Sequence, residues 1–146
     1  MASQKRAQKK KYFTADEANA ALPLVRAIVR DIAALSSDLR DRQERLTRVG
    51  AAQRGSLSGA YQEEVHLAEA EIERDSERLL DYARELRELG VELKDYFTGL
   101  VDFPCRMDDR EIYLCWRLGE PEVAYWHELE AGFAGRQCLR AHASRN

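Results

Sequence analysis

The side chains that can do chemistry are concentrated between residues 100 and 140 of the chain. This stretch combines acids, bases, a thiol and guanidinium groups with large aromatic rings. Its reactive members are Asp102, Cys115, Arg117, Glu120, His127, Glu128, Glu130 and Arg136, and its aromatic neighbours are Trp116, Tyr125 and Trp126. An apolar or aromatic wall with a few convergent polar groups is typical of a small-ligand pocket. We therefore take Asp102, Trp116, Glu120, His127 and Arg136 as the candidate residues of a ligand site.

Two alternatives remain open for Arg136, which follows Gly132 and Gly135. Its fork of donors can clamp an anion that binds at this site. It can equally donate to backbone carbonyls and close the loop in which it lies.

The strand pairing expected around Glu120-Pro121 bears on metal binding. If these two residues form a tight turn, Leu114 lies opposite His127 and Cys115 lies opposite Trp126. Cys115 and His127 then point to opposite faces of the sheet and cannot bind the same metal ion. A longer loop would shift the register by one residue and remove this argument.

His127 has a structural and a functional interpretation. On the expected register it shares the face of Trp116, which we predict packs on the helices, and a buried imidazole needs only a carboxylate partner such as Asp102. We prefer this structural interpretation over a ligand pocket. If Val101 and Phe103 face the helices, however, Asp102 points outward and cannot meet His127.

Other reactive patterns in the chain are weak. Glu63 and His66 have the spacing of two metal ligands on one helical face, but their neighbours are those of a solvated face. No nucleophile elbow, phosphate-binding loop or HExxH pattern is present. The sequence therefore leaves an enzymatic activity uncertain, and the metal and cofactor unknown.

Composition and charge predict one soluble globular domain with a basic N-terminal segment. The chain has 146 residues, of which 23 are Lys or Arg, 26 are Asp or Glu, and 45% are hydrophobic. Five basic residues fall in the first eleven and leave the other 135 at −8, with 18 basic against 26 acidic residues. We predict that residues 1–13 form a disordered basic tail, and binding of nucleic acid through it is possible.

Localisation follows from two further features. No apolar run is long enough for a membrane span, and the first residues lack the apolar stretch of a secretory signal. Three cysteines are an odd number without metal-module spacing, which does not fit a disulfide framework. We predict a cytoplasmic protein that does not associate with membranes.

The first half of the chain has the pattern of a helical hairpin, residues 14–90. Thr14 and Glu17 form a capping box, so a helix is expected from Ala15, with a kink at Pro23. Apolar residues then recur in a three-four alternation, as in a coiled coil, until Gly50. Gly and Ser residues in 51–59 predict a connection, and a second periodic stretch leads to a C-cap at Gly90.

The second half has strand periodicity. Residues 100–103, 111–118 and 123–127 are rich in aromatic and branched side chains and are separated by turn residues. We predict an α+β fold in which residues 91–139, a small antiparallel meander and a Gly-containing loop, pack with the hairpin as one domain. Residues 140–146 are expected to form a mobile tail.

The residues of both halves resemble one bacterial family. The stretches that carry the resemblance are Lys11–Thr14, Glu17–Asn19, Leu22-Pro23, Glu88–Asp95, Gly99–Pro104, Tyr113–Glu120, Tyr125–Leu129 and Gly132–Arg136. They look like the family catalogued as domain of unknown function 2203. Two departures are Asp108–Arg110, where an Asp-Gly-Arg turn is expected, and Tyr96–Thr98, which replaces a more polar lead-in to Gly99. The resemblance supports the architecture and implies no activity.

These observations favour a binding or assembly protein. Ile28 and Leu35 lie beside the helical seam and would be exposed in a monomer, so we predict a homo-oligomer formed through the hairpin. The alternative is a metal-dependent or small-ligand-dependent enzyme centred on His127. A third hypothesis is a nucleic-acid-associated factor that acts through the basic tail.

Overall fold

Two long helices precede a sheet whose strand order follows the sequence. The computed structural model describes residues 10–52 and 59–139. The helices are α1 (Ala15–Ala52) and α2 (Gly59–Glu88), and the strands are β1 (Glu92–Asp95), β2 (Leu100–Met107), β3 (Arg110–Arg117), β4 (Tyr125–Glu128) and β5 (Gln137–Cys138). All neighbouring strands are antiparallel, in the order β1-β2-β3-β4-β5. The predicted α+β fold, a helical hairpin followed by a meander, is confirmed. Neither helix in the described part of the chain is long and apolar enough to cross a membrane.

Helix α1 begins at the predicted capping box. The Thr14 backbone N–H donates to Glu17 Oε1 at 2.9 Å, and the Glu17 backbone N–H donates to Thr14 Oγ1 at 3.0 Å. These bonds satisfy donors that have no partner inside the first helical turn. Pro23 lies inside one continuous helix, which ends at Ala52, two residues beyond the expected Gly50.

Packing within a single chain already buries the apolar face of α1. Ile28 is 9% exposed and belongs to the main core, which includes the inner face of the sheet. Leu35 is 8% exposed and packs in a second cluster with Leu39 and Ile72. The expectation that Ile28 and Leu35 are exposed in a monomer is therefore wrong, because α2 and the sheet bury more of α1 than a two-helix seam would.

The sheet presents one face to the helices. Alternate residues of the central strands join the helical core, and they are Val101, Phe103, Cys105, Ile112, Leu114, Trp116 and Trp126. Because side chains alternate along a strand, the intervening residues lie on the opposite face. We call this opposite surface the outer face, and it includes Asp102, Tyr113, Cys115, Tyr125 and His127.

The register between β3 and β4 differs from the expected one. Tyr113 lies opposite His127, Leu114 opposite Trp126, and Cys115 opposite Tyr125. The predicted register is wrong by one residue, because seven residues, 118–124, connect β3 to β4 instead of a tight turn. As a result, His127 and Cys115 lie on the same face of the sheet.

Residues 10–13 lie against the sheet, although they were predicted to belong to a disordered tail. The Phe13 ring is buried and meets the Phe103 ring edge-on, with 5.2 Å between centroids. The Phe13 backbone N–H donates to the Pro104 carbonyl at 2.7 Å, and the Lys10 ammonium pairs with Glu111. The rest of that tail, residues 1–9, and the predicted mobile tail, residues 140–146, lie outside the described residues.

Asp108 and Asp109 form the tight turn between β2 and β3. Their φ angles are 54° and 64°, in the left-handed region that a two-residue hairpin turn of this type requires at both positions. The departure from Asp-Gly noted in the sequence therefore places a side chain at a position that favours glycine.

Candidate functional site

Three adjacent strands bring Asp102, Cys115 and His127 together on the outer face. Asp102 of β2 lies directly opposite Cys115 of β3, and His127 of β4 lies diagonally across from Cys115. One potential ligand atom from each residue, a carboxylate oxygen, Sγ and a ring nitrogen, lies within 4.8 Å of the other two. All three residues are buried. We call this group the outer-face triad.

The hydrogen bonds of His127 indicate which ring nitrogen carries a proton. Nδ1 lies 2.6 Å from the carbonyl oxygen of Glu128, and a carbonyl can only accept. Nδ1 therefore donates its proton to that carbonyl, and Nε2 faces Asp102 Oδ1 at 3.0 Å. Two atoms with facing lone pairs repel each other, so either a proton or a metal ion must lie between Nε2 and Oδ1.

Burial controls the protonation of the other two members of the triad. Loss of solvent raises the pKa of Asp102, although the neighbouring His127 and the thiol of Cys115 oppose this change. Burial, followed by the negative charge of Asp102, raises the pKa of Cys115 to about 12. In the absence of a metal the Cys115 thiol is therefore protonated at neutral pH and hydrogen-bonds to Asp102.

Tyr113 shields His127 on the outer face. The ring centroids of Tyr113 and His127 are 5.5 Å apart, and the Tyr113 hydroxyl lies 3.0 and 3.1 Å from the two carboxylate oxygens of Glu92. The Lys94 ammonium lies 5.1 Å from the Tyr113 ring centroid. Burial and the hydrogen bond to Glu92 raise the pKa of Tyr113 to about 12, so the phenol stays neutral and donates.

The family model for uncharacterized conserved proteins of the DUF2203 type matches residues 11–139. The chain belongs to the DUF2203 family. No curated protein and no solved structure matches it. The chemistry of this DUF2203 chain must therefore be argued from its own residues.

Glu120 and Arg136 form a second polar pair near the triad. Arg136 Nη2 donates to Glu120 Oε1 at 2.7 Å, and the guanidinium lies 4.0 Å from the Tyr125 ring centroid and 4.6 Å from that of Phe133. Burial by itself would raise the pKa of Glu120, but the hydrogen bonds from Arg136 and from the Arg117 backbone lower it overall. Positive charge on Arg136 also favours the thiolate of Cys115.

Trp116 is the one predicted site residue that lies apart from the outer face. Its side chain is completely buried in the core against the helices, and its indole N–H donates to the Glu120 carbonyl oxygen at 3.0 Å. The structure thus joins Asp102 with His127 and Glu120 with Arg136, while Trp116 supports the loop that carries Glu120. The expectation that Trp116 and His127 share a face is wrong for this DUF2203 chain.

The sequence arguments missed Cys115 and Tyr113 as neighbours of His127. The signal that could have placed Cys115 there is the alternative register with a longer loop between β3 and β4. For the second metal hypothesis, Glu63 and His66 are both exposed on α2. Within residues 10–52 and 59–139, the outer-face triad is the group of three potential metal ligands that the fold assembles.

Proposed function

We propose that this protein binds one divalent transition-metal ion, preferably zinc, through Asp102, Cys115 and His127. The observation that carries the proposal is the convergence of three ligand atoms of different chemical type within 4.8 Å at a buried position. Nitrogen, sulfur and carboxylate oxygen are the donors by which proteins bind zinc. The Nδ1–H to carbonyl hydrogen bond of His127 orients Nε2 as a metal-ligating histidine requires.

The spacing of the donor atoms is compatible with a metal ion after a small adjustment. Zinc bonds of about 2.0–2.3 Å in a tetrahedral arrangement separate neighbouring donors by about 3.3–3.8 Å. Nε2 of His127 and Oδ1 of Asp102 are 3.0 Å apart, so they would move apart by a few tenths of an ångström. Such a movement is within the reach of χ rotations of the two side chains.

Binding of the metal must release protons from the triad. The thiol of Cys115 has a raised pKa, and thiolate is the form that coordinates zinc. The carboxyl of Asp102 has a raised pKa as well, so any proton held between it and His127 is displaced. We expect the affinity for zinc to increase with pH, since each proton released competes with the metal.

Zinc titration of protein stripped with a chelator tests the proposal. We expect one zinc per chain by calorimetry, and a thiolate-to-metal charge-transfer absorption when cobalt replaces zinc. Cys115→Ser should lose this absorption, and His127→Ala should lose stoichiometric binding. Cys138→Ser is the matched control, because Cys138 is an exposed thiol on β5 and should leave binding unchanged.

The competing interpretation is a structural triad that shares protons and binds no metal. Thermal unfolding with and without zinc separates the two, because a ligand that binds only the folded state stabilises it by about 2.7 kcal/mol at 100 times its Kd. A wild-type melting temperature that does not respond to zinc, together with a large loss of stability in His127→Ala, would assign the triad a structural role.

An enzymatic role for the metal stays a prediction. Three protein ligands leave one position of a tetrahedral zinc ion for water or a substrate, as in catalytic zinc sites. Arg136 would then be a candidate to bind an anionic substrate, in exchange for its hydrogen bond to Glu120. Hydrolysis of ester or phosphoester probes that depends on both zinc and His127 would favour this alternative.

Self-association and binding of nucleic acid also stay predictions. Ile28 and Leu35, which motivated the homo-oligomer, are buried in the single chain, so their aspartate variants would test folding instead of association. The native mass of the wild-type protein at tens of micromolar tests the oligomer directly. Salt-sensitive retention on nucleic acid tests the basic N-terminal segment, of which Lys10 is engaged with Glu111.

A further inference from the structure

A cleft opens between the hairpin and the turn that connects β1 to β2. Its volume is about 480 Å³, within the roughly 300–1,000 Å³ of small-molecule sites. Apolar side chains form most of its wall, and they are Leu39, Leu79, Leu80, Tyr96 and Phe97. Leu80 and Phe97 are each about half exposed, at 59% and 49%, so the cleft continues into an apolar surface patch. We call this feature the hairpin cleft.

A stripe of polar residues on α1 crosses this apolar wall. Ser36, Arg40 and Gln43 line the cleft at helical spacings of four and three residues. Ser36 is only 4% exposed, and its Oγ has no hydrogen-bond partner among the described residues. Buried hydroxyls in native proteins nearly always have a partner. The Ser36 oxygen is itself closed off from the cleft, so its hydroxyl reaches a bound group only after a rotation about χ1.

Arg40 supplies a cation at the rim of the cleft. Its guanidinium lies 4.6 Å from the Phe97 ring centroid and forms no ion pair with a residue in the described ranges. Stacking on an aromatic ring leaves the edge of the guanidinium, where its hydrogen-bond donors lie, available to an anion. One face of α1 therefore presents a cation next to an apolar wall, with the buried Ser36 hydroxyl four residues away.

The turn that carries Phe97 is held in place before any ligand binds. Asp95 Oδ1 accepts hydrogen bonds from the backbone N–H groups of Phe97 and Thr98, at 2.8 and 3.2 Å. Gly99, with φ of +71°, packs so closely on α1 that an added Cβ would lie 2.7 Å from Val29 Cγ1. The Phe97 wall is thus fixed relative to α1, which lowers the cost of ordering on binding.

We propose that the hairpin cleft binds a small amphipathic carboxylate. Its apolar body lies against Leu79, Leu80 and Phe97, and its carboxylate accepts hydrogen bonds from the Arg40 guanidinium. The Ser36 hydroxyl donates a further hydrogen bond once a rotation about χ1 turns it into the cleft. A carboxylate forms an ion pair with Arg40, which a neutral or cationic ligand does not. The site is independent of the proposed metal site, since none of its residues belongs to the outer-face triad.

Titration of the full chain with decanoate, followed by calorimetry and by amide chemical shifts, tests the proposal, with decanol as the matched neutral probe. We expect saturable binding of decanoate, with shift changes at residues 36–43 and 95–99. Decanol should bind at least roughly tenfold more weakly, because it lacks the charge that Arg40 recognises.

Arg40→Gln should weaken decanoate binding roughly tenfold and leave decanol binding unaffected. Ser36→Ala should weaken decanoate binding without lowering the melting temperature of the free protein. Arg30→Gln, the same change at an exposed position of α1 outside the cleft, is the control and should bind like wild type.

Four results would overturn the proposal. Equal affinity for decanoate and decanol would mean that the cleft is only an apolar surface. Unchanged decanoate binding in Arg40→Gln, or shift changes confined to other residues, would place the ligand elsewhere. A dimeric native mass that Phe97→Ser converts to monomer would show that a second copy of the chain occupies the cleft instead.

Discussion

Replacement of Gly99 by alanine should destabilise the protein in a way that the structure quantifies. Gly99 has φ of +71°, where an L side chain costs about 1–2 kcal/mol. An added Cβ would also lie 2.7 Å from Val29 Cγ1 and 2.8 Å from Leu118 Cβ. Val29 is fully buried and β-branched, so it cannot turn away cheaply, and overpacking of this kind costs about 1–3 kcal/mol. We expect a total loss of about 2–5 kcal/mol in the free energy of unfolding.

Gly119→Ala is the matched control for this experiment. Gly119 also has a positive φ, +106°, but an added Cβ would meet no heavy atom within 4 Å. Its cost should be that of the backbone alone, about 1–2 kcal/mol. The difference between the two variants, about 1–3 kcal/mol, then measures the close approach of Gly99 to α1. Chemical denaturation monitored by circular dichroism gives both values, and equal losses in Gly99→Ala and Gly119→Ala would refute the packing argument.

Four further predictions can be tested. Only Cys138 is exposed among the three thiols, so a thiol reagent should label Cys138 quickly in the native protein and Cys105 and Cys115 only after unfolding, as peptide mass mapping would report. The fold raises the pKa of Cys115 to about 12, above roughly 8.5 for an unfolded thiol. The protonated thiol should therefore contribute fully to the stability of the metal-free protein below pH ~8.5, and this contribution should decline as the pH rises toward 12. Stability curves of wild type and Cys115→Ser that stay parallel over that range would contradict it. Asp109→Gly should raise the free energy of unfolding by about 1 kcal/mol, since φ of 64° favours glycine, and an unchanged denaturation midpoint would argue otherwise. Deletion of residues 1–9 should shift the melting temperature by no more than about 2 °C, as is usual for surface changes, and a larger loss would indicate that they contribute to stability.

The elements with strong local signals were predictable from the sequence. The capping box at Thr14 and Glu17 forms the expected reciprocal hydrogen bonds, and helical periodicity gave both helices to within about two residues of their ends. The two long central strands were also detected, because their inward residues are large and apolar, but the pattern gave only residues 100–103 of β2, which continues to Met107. These features depend on contacts close in sequence or on simple alternation.

The edge strands β1 and β5 carry no such signal. β1 is Glu92-Leu93-Lys94-Asp95, in which three of the four side chains are charged, and its outward residues interact with Tyr113. β5 has only two residues. Charged residues and short length are usual at sheet edges, where they discourage pairing with other chains. A pattern based on apolar alternation cannot detect such strands, although Glu92 and Lys94 help to enclose the outer face.

Ile28 and Leu35 were expected to be exposed because the residues that help to bury α1 lie far away in the sequence. A seam between two helices accounts for only part of the apolar surface of α1, and the sequence alone does not reveal how much of the rest a distant sheet will bury. The core that includes Ile28 also contains residues of β2, β3 and β4, more than 70 positions later. Long-range packing of this kind leaves no periodic trace in the helix itself.

A single residue of strand register decides whether the candidate site exists. With the tight turn expected at Glu120-Pro121, His127 would face the helices and Cys115 would face away from them. The longer connection reverses the facing of all of β4, including His127, because side chains alternate along the strand with a period of two residues, while β2 and β3 keep their faces. Val101 and Phe103 face the helices, so Asp102 points outward, but the expectation that it then cannot meet His127 is wrong. The same shift moves His127 outward, to 3.0 Å from Asp102. A shift of β4 by one residue relative to β3 would therefore separate His127 from Asp102 and Cys115 and remove the proposed metal site. Such a shift would turn the apolar face of β4, including Trp126, away from the helices. The core against the helices therefore keeps β4 in the register that brings the three proposed ligands together.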